Sequence, residues 1–295
     1  LIEGRIYGEE MRHLYSIFGY GELVRDVDEY IEDEPEFTKL RMCLPGCDPD
    51  DAFSRVPYEK GFLLLLYLES LVGGKEKMEG WLHAYFQTFA HTSVDAETMR
   101  AHFLGHFGAG LAETVDWDHW FHDKGLPRWT PHAYLSQKLN GEVVRVTDLW
   151  KAGGRGATEA DVKWHPFQTM MLLDNLINEK VPMALEAVFK MDEVYKLSAS
   201  RNVEVLYKWV TLCVSNFGCI GAVHDSQAGR DLLSEFLSTN GRSIYVKPLY
   251  KALWKLAERP GAGITREEVR GLAGRSMSFY HSVVRGFIAD LMSEG

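Results

Sequence analysis

The chain has 295 residues, is 46% hydrophobic and 25% charged, and carries a net charge of −10. That length buries a sizeable core and predicts two domains, while the acidic balance argues against general nucleic-acid binding, so no nucleic-acid partner is expected. The most apolar run, Gly61 to Leu68, stops at Glu69, well short of the roughly 18 to 20 residues that cross a bilayer, so no membrane partner is expected either.

Helical periodicity dominates and strand signals are nearly absent. Apolar residues at helical spacing predict a helix over Arg5 to Phe18, broken at Gly19-Tyr20-Gly21 and followed by a second over Glu22 to Ile31. Glu32 to Phe53, rich in Asp, Glu, Pro and Gly, is expected to be irregular. A very apolar helix over Val56 to Val72 stops at Gly73-Gly74, and helices follow over Lys75 to Phe89, Val94 to Phe107 (capped by Ser93 or Asp95) and Asp116 to His122. Two close prolines, Pro127 and Pro131, mark the expected domain boundary, dividing residues 1–127 from 128–295. Beyond them the pattern predicts helices over Tyr134 to Trp150, Pro166 to Asn178, Pro182 to Leu197, Asn202 to Val214, Ala222 to Leu237, Lys247 to Glu258, Thr265 to Ala273 and Met277 to Met292. Successive helices with short turns predict a two-layer helical array or short solenoid. Gly153-Gly154-Arg155-Gly156 and Pro260-Gly261-Ala262-Gly263 lack the lysine of a phosphate-binding loop and read as turns.

Two segments carry candidate chemistry. The first runs from Asp48 to Gly61 and puts Pro57-Tyr58 at the mouth of the apolar helix, where a phenol is a fixed donor able to stabilise an anion. Taken alone, a Pro-Tyr helix start is ordinary architecture. The second is Asn240-Gly241-Arg242 ahead of Lys247-Pro248, in which a guanidinium at a turn before a Pro-started helix could grip a carboxylate bidentately. Taken alone, Arg242 is a surface arginine beside a turn.

Together these segments resemble the leukotriene A-4 hydrolase and aminopeptidase B family of thermolysin-like zinc aminopeptidases. The resemblance runs through Gly4-Arg5-Ile6-Tyr7-Gly8-Glu9, Phe37-Thr38-Lys39-Leu40, Asp48 to Leu66, Val115-Asp116-Trp117, Gly125-Leu126-Pro127 and Gly241 to Leu249. Val56-Pro57-Tyr58-Glu59-Lys60-Gly61 is its most specific block. It implies an all-α chain, the helical end of a thermolysin-like catalytic domain followed by an armadillo- or HEAT-like array. It also implies that Tyr58 donates a hydrogen bond to the oxyanion of the attacked carbonyl. Asp50 would recognise a basic amino-terminal side chain, Phe53 would stand in a pocket wall where a tyrosine is familiar, and Arg242 would hold a substrate carboxylate. The family's lysine two positions after that arginine is Ile244 here, which weakens carboxylate anchoring and favours peptide cleavage over lipid epoxide hydrolysis.

The family's His-Glu-x-x-His helix does not occur in the chain, so the zinc cofactor's ligands are expected upstream of Leu1 and no metal ligand is assigned within it. The chain opens without methionine and reads as a fragment or processed product, inactive by itself. His102 and His106 have metal-binding spacing, but Phe103 occupies the place of the general-base glutamate, so they are read as structural. Asp118, His119, His122 and Asp123 are read as a solvated helix face. The four cysteines lack zinc-ribbon spacing and suit reduced thiols in a cytoplasmic protein. Short peptides are the implied partners, a fatty-acid epoxide is a further one, and a monomer is the implied state. The competing reading is a non-catalytic helical scaffold that binds partners, against which the presence of Tyr58, Asp50 and Arg242 together argues.

Overall fold

The computed structural model describes residues 2–47, 52, 54–179, 183–215, 227–259 and 263–293, and among them it is all-α, with no strand. The chain divides into two compact units, Leu1–Asn140 and Gly141–Gly295.

In the first unit, α1 (Ile2–Tyr7) and α2 (Glu9–Tyr30) are separated at Gly8, whose φ of 89° a side chain would resist. The break expected at Gly19-Tyr20-Gly21 is absent, and α2 runs straight through. A glycine inside a helix costs only about 1 kcal/mol. A Cβ at Gly19 would meet only the carboxylate end of Glu59, a flexible side chain on α3 (Val56–Val72), at 2.3 Å. The stop expected at Gly73 is present, with φ at 93° in the left-handed region.

Helices α4 (Lys75–Thr88), α5 (Ala96–Phe107), α6 (Leu111–Thr114) and α7 (Trp117–His122) follow. Asp95 caps α5 by accepting the Thr98 amide at 2.7 Å. The core of this unit gathers Leu63, Leu64 and Leu68 of α3 with Trp81, Phe103 and Trp117. A buried ionic contact ties α2 to α3, with Arg12 donating to Glu69 at 3.0 Å. The Tyr134 hydroxyl donates to the same carboxylate at 3.0 Å, and burial together with that carboxylate pushes its pKa up to about 12.

The proline-rich stretch after residue 125 stays within this unit. Leu126 and Trp129 pack on its core, Leu135 joins Ile17 and Leu66, and Ser136 bonds Glu10 at 2.7 Å. Proline stops helices without stopping packing, which is why the compact unit extends to Asn140.

Helix α8 (Lys138–Lys151) begins at the division and leads, in the second unit, into α9 (Pro166–Ile177), α10 (Leu185–Tyr195), α11 (Val203–Ser215), α12 (Gln227–Thr239), α13 (Ser243–Leu256), α14 (Arg266–Ser276) and α15 (Ser282–Ser293). Alternate helices pack side by side: α9 on α11, α11 on α13, α13 on α15, and likewise α12 on α14. That skip-one pairing is the two-layer array the sequence predicts. Its core joins Val210 of α11 to Leu249, Tyr250 and Leu253 of α13 and Ile288 of α15. The helix starts expected at Pro182 and Ala222 lie outside the described residues.

Candidate functional site

Tyr58 occupies the first turn of α3, with Pro57 beside it, and is 63% exposed. The backbone entering that turn is held by α2, since the Arg55 amide donates to Asp26 Oδ2 at 2.7 Å and the Arg55 guanidinium pairs with Glu22 at 2.6 Å. Helical spacing sets Phe62 on the same face one turn on, and it too is exposed. The opposite register, Val56, Lys60, Leu63 and Leu64, is buried.

Lys60 is the member of that buried face which the sequence reading did not single out. It is 1% exposed, and its ammonium donates to three backbone carbonyls, those of Thr38 at 2.9 Å, Asp123 at 3.0 Å and Gly125 at 2.9 Å. Three N–H groups thus meet three acceptors, a complete set for a charged lysine. Burial pushes its pKa down to about 8, against the opposing pull of the Asp123 carboxylate. The Thr38 hydroxyl closes the arrangement, accepting the Gly125 amide at 2.8 Å and donating to the Pro35 carbonyl at 2.6 Å. Phe37-Thr38-Lys39-Leu40, the Tyr58 block and Gly125-Leu126-Pro127 are therefore joined around one buried ammonium. The signal in the sequence was a lysine in core register beside an apolar run.

Next to this cluster, His119 is not solvated as expected. Its Nε2 accepts the Arg128 amide at 3.1 Å, which leaves Nδ1 to donate to Asp123 at 2.7 Å. That bond holds the Asp123 carboxyl below its usual range. The reason is the turn after α7, which folds back over the ring; Asp118 and His122 remain exposed. Of the histidine pair at 102 and 106, His102 is held in the packing, and His106 is exposed. His102 Nδ1 accepts the Trp81 indole N–H at 3.0 Å and the ring packs edge-on against Tyr85 and Phe89.

Arg242 lies in the second unit. The sequence suggests a turn ahead of a helix starting near Lys247, but α13 begins at Ser243 and holds Pro248 inside it, which makes Arg242 the N-cap residue. The Arg242 carbonyl accepts the Tyr245 and Val246 amides at 3.0 and 3.1 Å. Its guanidinium therefore stands at the positive end of a 14-residue helix, a setting that favours anions. Nη1 donates to the Tyr245 hydroxyl at 2.8 Å and reaches Glu204 Oε1 at 3.5 Å, and the group lies 5.0 Å from the Tyr245 ring centre. The Tyr245 hydroxyl in turn donates to Glu204. Among the described residues nothing else engages the guanidinium, so its Nε and Nη2 edge is left open, and the side chain is 67% exposed. Ile244 is exposed, and Lys247 does not stand in for the lysine missing there, since its ammonium lies over the Phe287 ring at 5.2 Å.

Asp50 and Phe53 lie outside the described residues. Among the described residues no group of three His, Cys, Asp or Glu side chains could hold a metal ion. None of their helices is long and apolar enough to cross a membrane.

The helix that opens on Pro57 and exposed Tyr58, and most of the array that follows it in the chain, fall within matches to known families. The family model described as "Peptidase family M1 domain" matches residues 27–120, and that described as "Leukotriene A4 hydrolase, C-terminal" matches residues 164–292. The chain is 34% identical over 298 residues to leucine aminopeptidase 2 of Emericella nidulans, across 96% of this chain and 44% of the relative. It is 31% identical over 299 residues to leukotriene A-4 hydrolase of Xenopus laevis, across 98% of this chain and 46% of the relative. The solved structure of native leukotriene A4 hydrolase from Saccharomyces cerevisiae superposes with a TM-score of 0.82 at 25% identity, covering 99% of this chain and 48% of that one. The chain thus carries matches to the M1 peptidase domain and to the leukotriene A4 hydrolase C-terminal domain in succession, and it spans less than half the length of the curated relatives it matches.

Proposed function

We propose that this chain serves a zinc aminopeptidase, in which Tyr58 supplies the hydrogen bond that stabilises the tetrahedral oxyanion. The observation that carries the reading is an exposed phenol on a helix turn whose buried face is fixed by Lys60. An oxyanion donor acts through pre-set position, and a phenol free to drift would lose most of its effect. Zinc ligands are assigned to the part of the relatives' length that this chain does not span, because its described residues offer no cluster for a metal. The chain alone is accordingly inactive in this reading.

Short peptides are the substrates, with Arg242 holding the carboxylate at their far end and Asp50 favouring Arg or Lys at the amino terminus. Exposed Ile244 in place of a second cation makes lipid epoxide hydrolysis the lesser activity. A cytoplasmic monomer completes the reading. The test is Tyr58→Phe in the full-length protein with a short peptide substrate. Turnover should fall roughly a hundredfold, the usual scale for losing one oxyanion donor; near-normal turnover removes Tyr58 from the chemistry.

A further inference from the structure

The only side-chain carboxylate that Arg242 contacts among the described residues is Glu204, and its position is set from two sides. Glu204 lies in the first turn of α11, where the Asn202 side chain caps the helix by accepting the Glu204 and Val205 amides at 3.0 and 3.4 Å. Its Oε1 takes a hydrogen bond from the Tyr245 hydroxyl and faces Arg242 Nη1. Tyr245 is 2% exposed, so its hydroxyl is a fixed point beneath the pair.

The cation that would meet a substrate carboxylate is thus already shared with a carboxylate of the protein. A second anion at the open Nε and Nη2 edge gains the guanidinium's attraction and meets the repulsion of Glu204. Nothing nearby restores the balance, since Ile244 brings no charge and Lys247 is turned onto Phe287. The surroundings add apolar surface instead. The Phe279 ring lies so close to Gly241 that a Cβ there would meet it at 3.1 Å, and that ring is half exposed.

We propose that Glu204 is a specificity-determining residue that holds down the preference for peptides ending in a free carboxylate over their amidated or extended counterparts. The proposal rests on the reading that Arg242 anchors the substrate carboxylate. It makes the site a tempered anion site, one that accepts a neutral chain end nearly as readily as a charged one.

The experiment measures kcat/KM of the full-length protein for trialanine and for trialanine amide, in the wild type and in Glu204→Gln, Glu204→Asp and Arg242→Ala. Glutamine keeps an oxygen for the Tyr245 hydroxyl while removing the charge, so the acid-to-amide ratio should rise by about two- to fivefold, the scale of a partly exposed ion pair. The rise should come through KM. Aspartate keeps the charge and should hold the ratio near that of the wild type. An unchanged or lower ratio in Glu204→Gln overturns the role of Glu204. Arg242→Ala separates this from the reading beneath it. If it lowers the ratio while Glu204→Gln leaves it alone, the anchor stands and the tempering role falls. If Arg242→Ala affects acid and amide equally, the anchor reading falls and takes the proposal with it.

Discussion

Tyr58 and Arg242 both stand at the amino-terminal end of a helix, yet the two helices are secured in different ways. Behind Tyr58, a lysine that is 1% exposed satisfies three carbonyls from segments 22 to 65 residues away in sequence. Around Arg242, one partner is the hydroxyl of buried Tyr245 and the other is Glu204 at the surface, and one edge of the guanidinium has no partner among the described residues. A group that stabilises a developing charge must not move, because misplacement by about 1 Å can cost a hundredfold in rate. A group that grips one end of a variable substrate gains from slack, and its strength can be adjusted by a neighbouring carboxylate without disturbing a core. In the roles proposed for Tyr58 and Arg242, rigidity stands behind the group that does the chemistry, and the group that selects among substrates keeps an open edge.

The sharpest way to break this contrast is the Tyr58→Phe exchange, with its roughly hundredfold loss of turnover. Lys60→Met tests the rigid half from behind. It leaves three buried carbonyls without a donor and should lower stability by about 3 kcal/mol or more, read as the urea midpoint, with turnover falling in whatever protein remains folded. A loss under about 1 kcal/mol would show that the ammonium does little to hold α3. Arg242→Ala tests the looser half. It should raise KM for trialanine about tenfold, the cost of one charge-assisted hydrogen bond, and raise it far less for the amide.

The last expected effect concerns pH. Burial lowers the Lys60 pKa to about 8 from its ordinary 10.5. Between those values the unfolded chain holds a proton at this residue that the folded chain has released, so this contribution to stability rises with pH across the window and is lost as pH falls through 8. Urea midpoints at pH 7.5, 9 and 10.5 should therefore converge between wild type and variant less, not more, as pH increases: the wild-type advantage over Lys60→Met should widen. A constant difference across the three values would mean that Lys60 keeps its proton throughout.

Much of the architecture was legible because it follows from side-chain spacing. The apolar run predicted α3 with its stop at Gly73, and the spacing of later helices predicted the two-layer array. Tyr58 and Arg242 stood out through their proline and glycine neighbours. What was not legible depends on partners that spacing cannot show. The carbonyls around Lys60 belong to the backbone, which carries no residue identity, and Glu204 is 38 residues from Arg242. His119 looked like one of several polar residues on a short helix until the following turn covered it. Glycine misled in both directions: Gly8 breaks a helix through its positive φ, whereas Gly19 and Gly21 lie inside one.

The acceptors around Lys60 have a consequence for how freely this region can vary. Carbonyl oxygens come with every residue type, so exchanging the side chain of Asp123 leaves its acceptor in place, and none of the three contacts demands a matching substitution elsewhere. The requirement falls instead on the lysine, which no other side chain can replace at that reach, and on Gly125, whose φ of 76° most residues resist. As far as these three contacts go, substitutions in the surrounding loops need no compensating partner, whereas Lys60 and Gly125 are constrained, and so is Thr38, whose hydroxyl accepts the Gly125 amide.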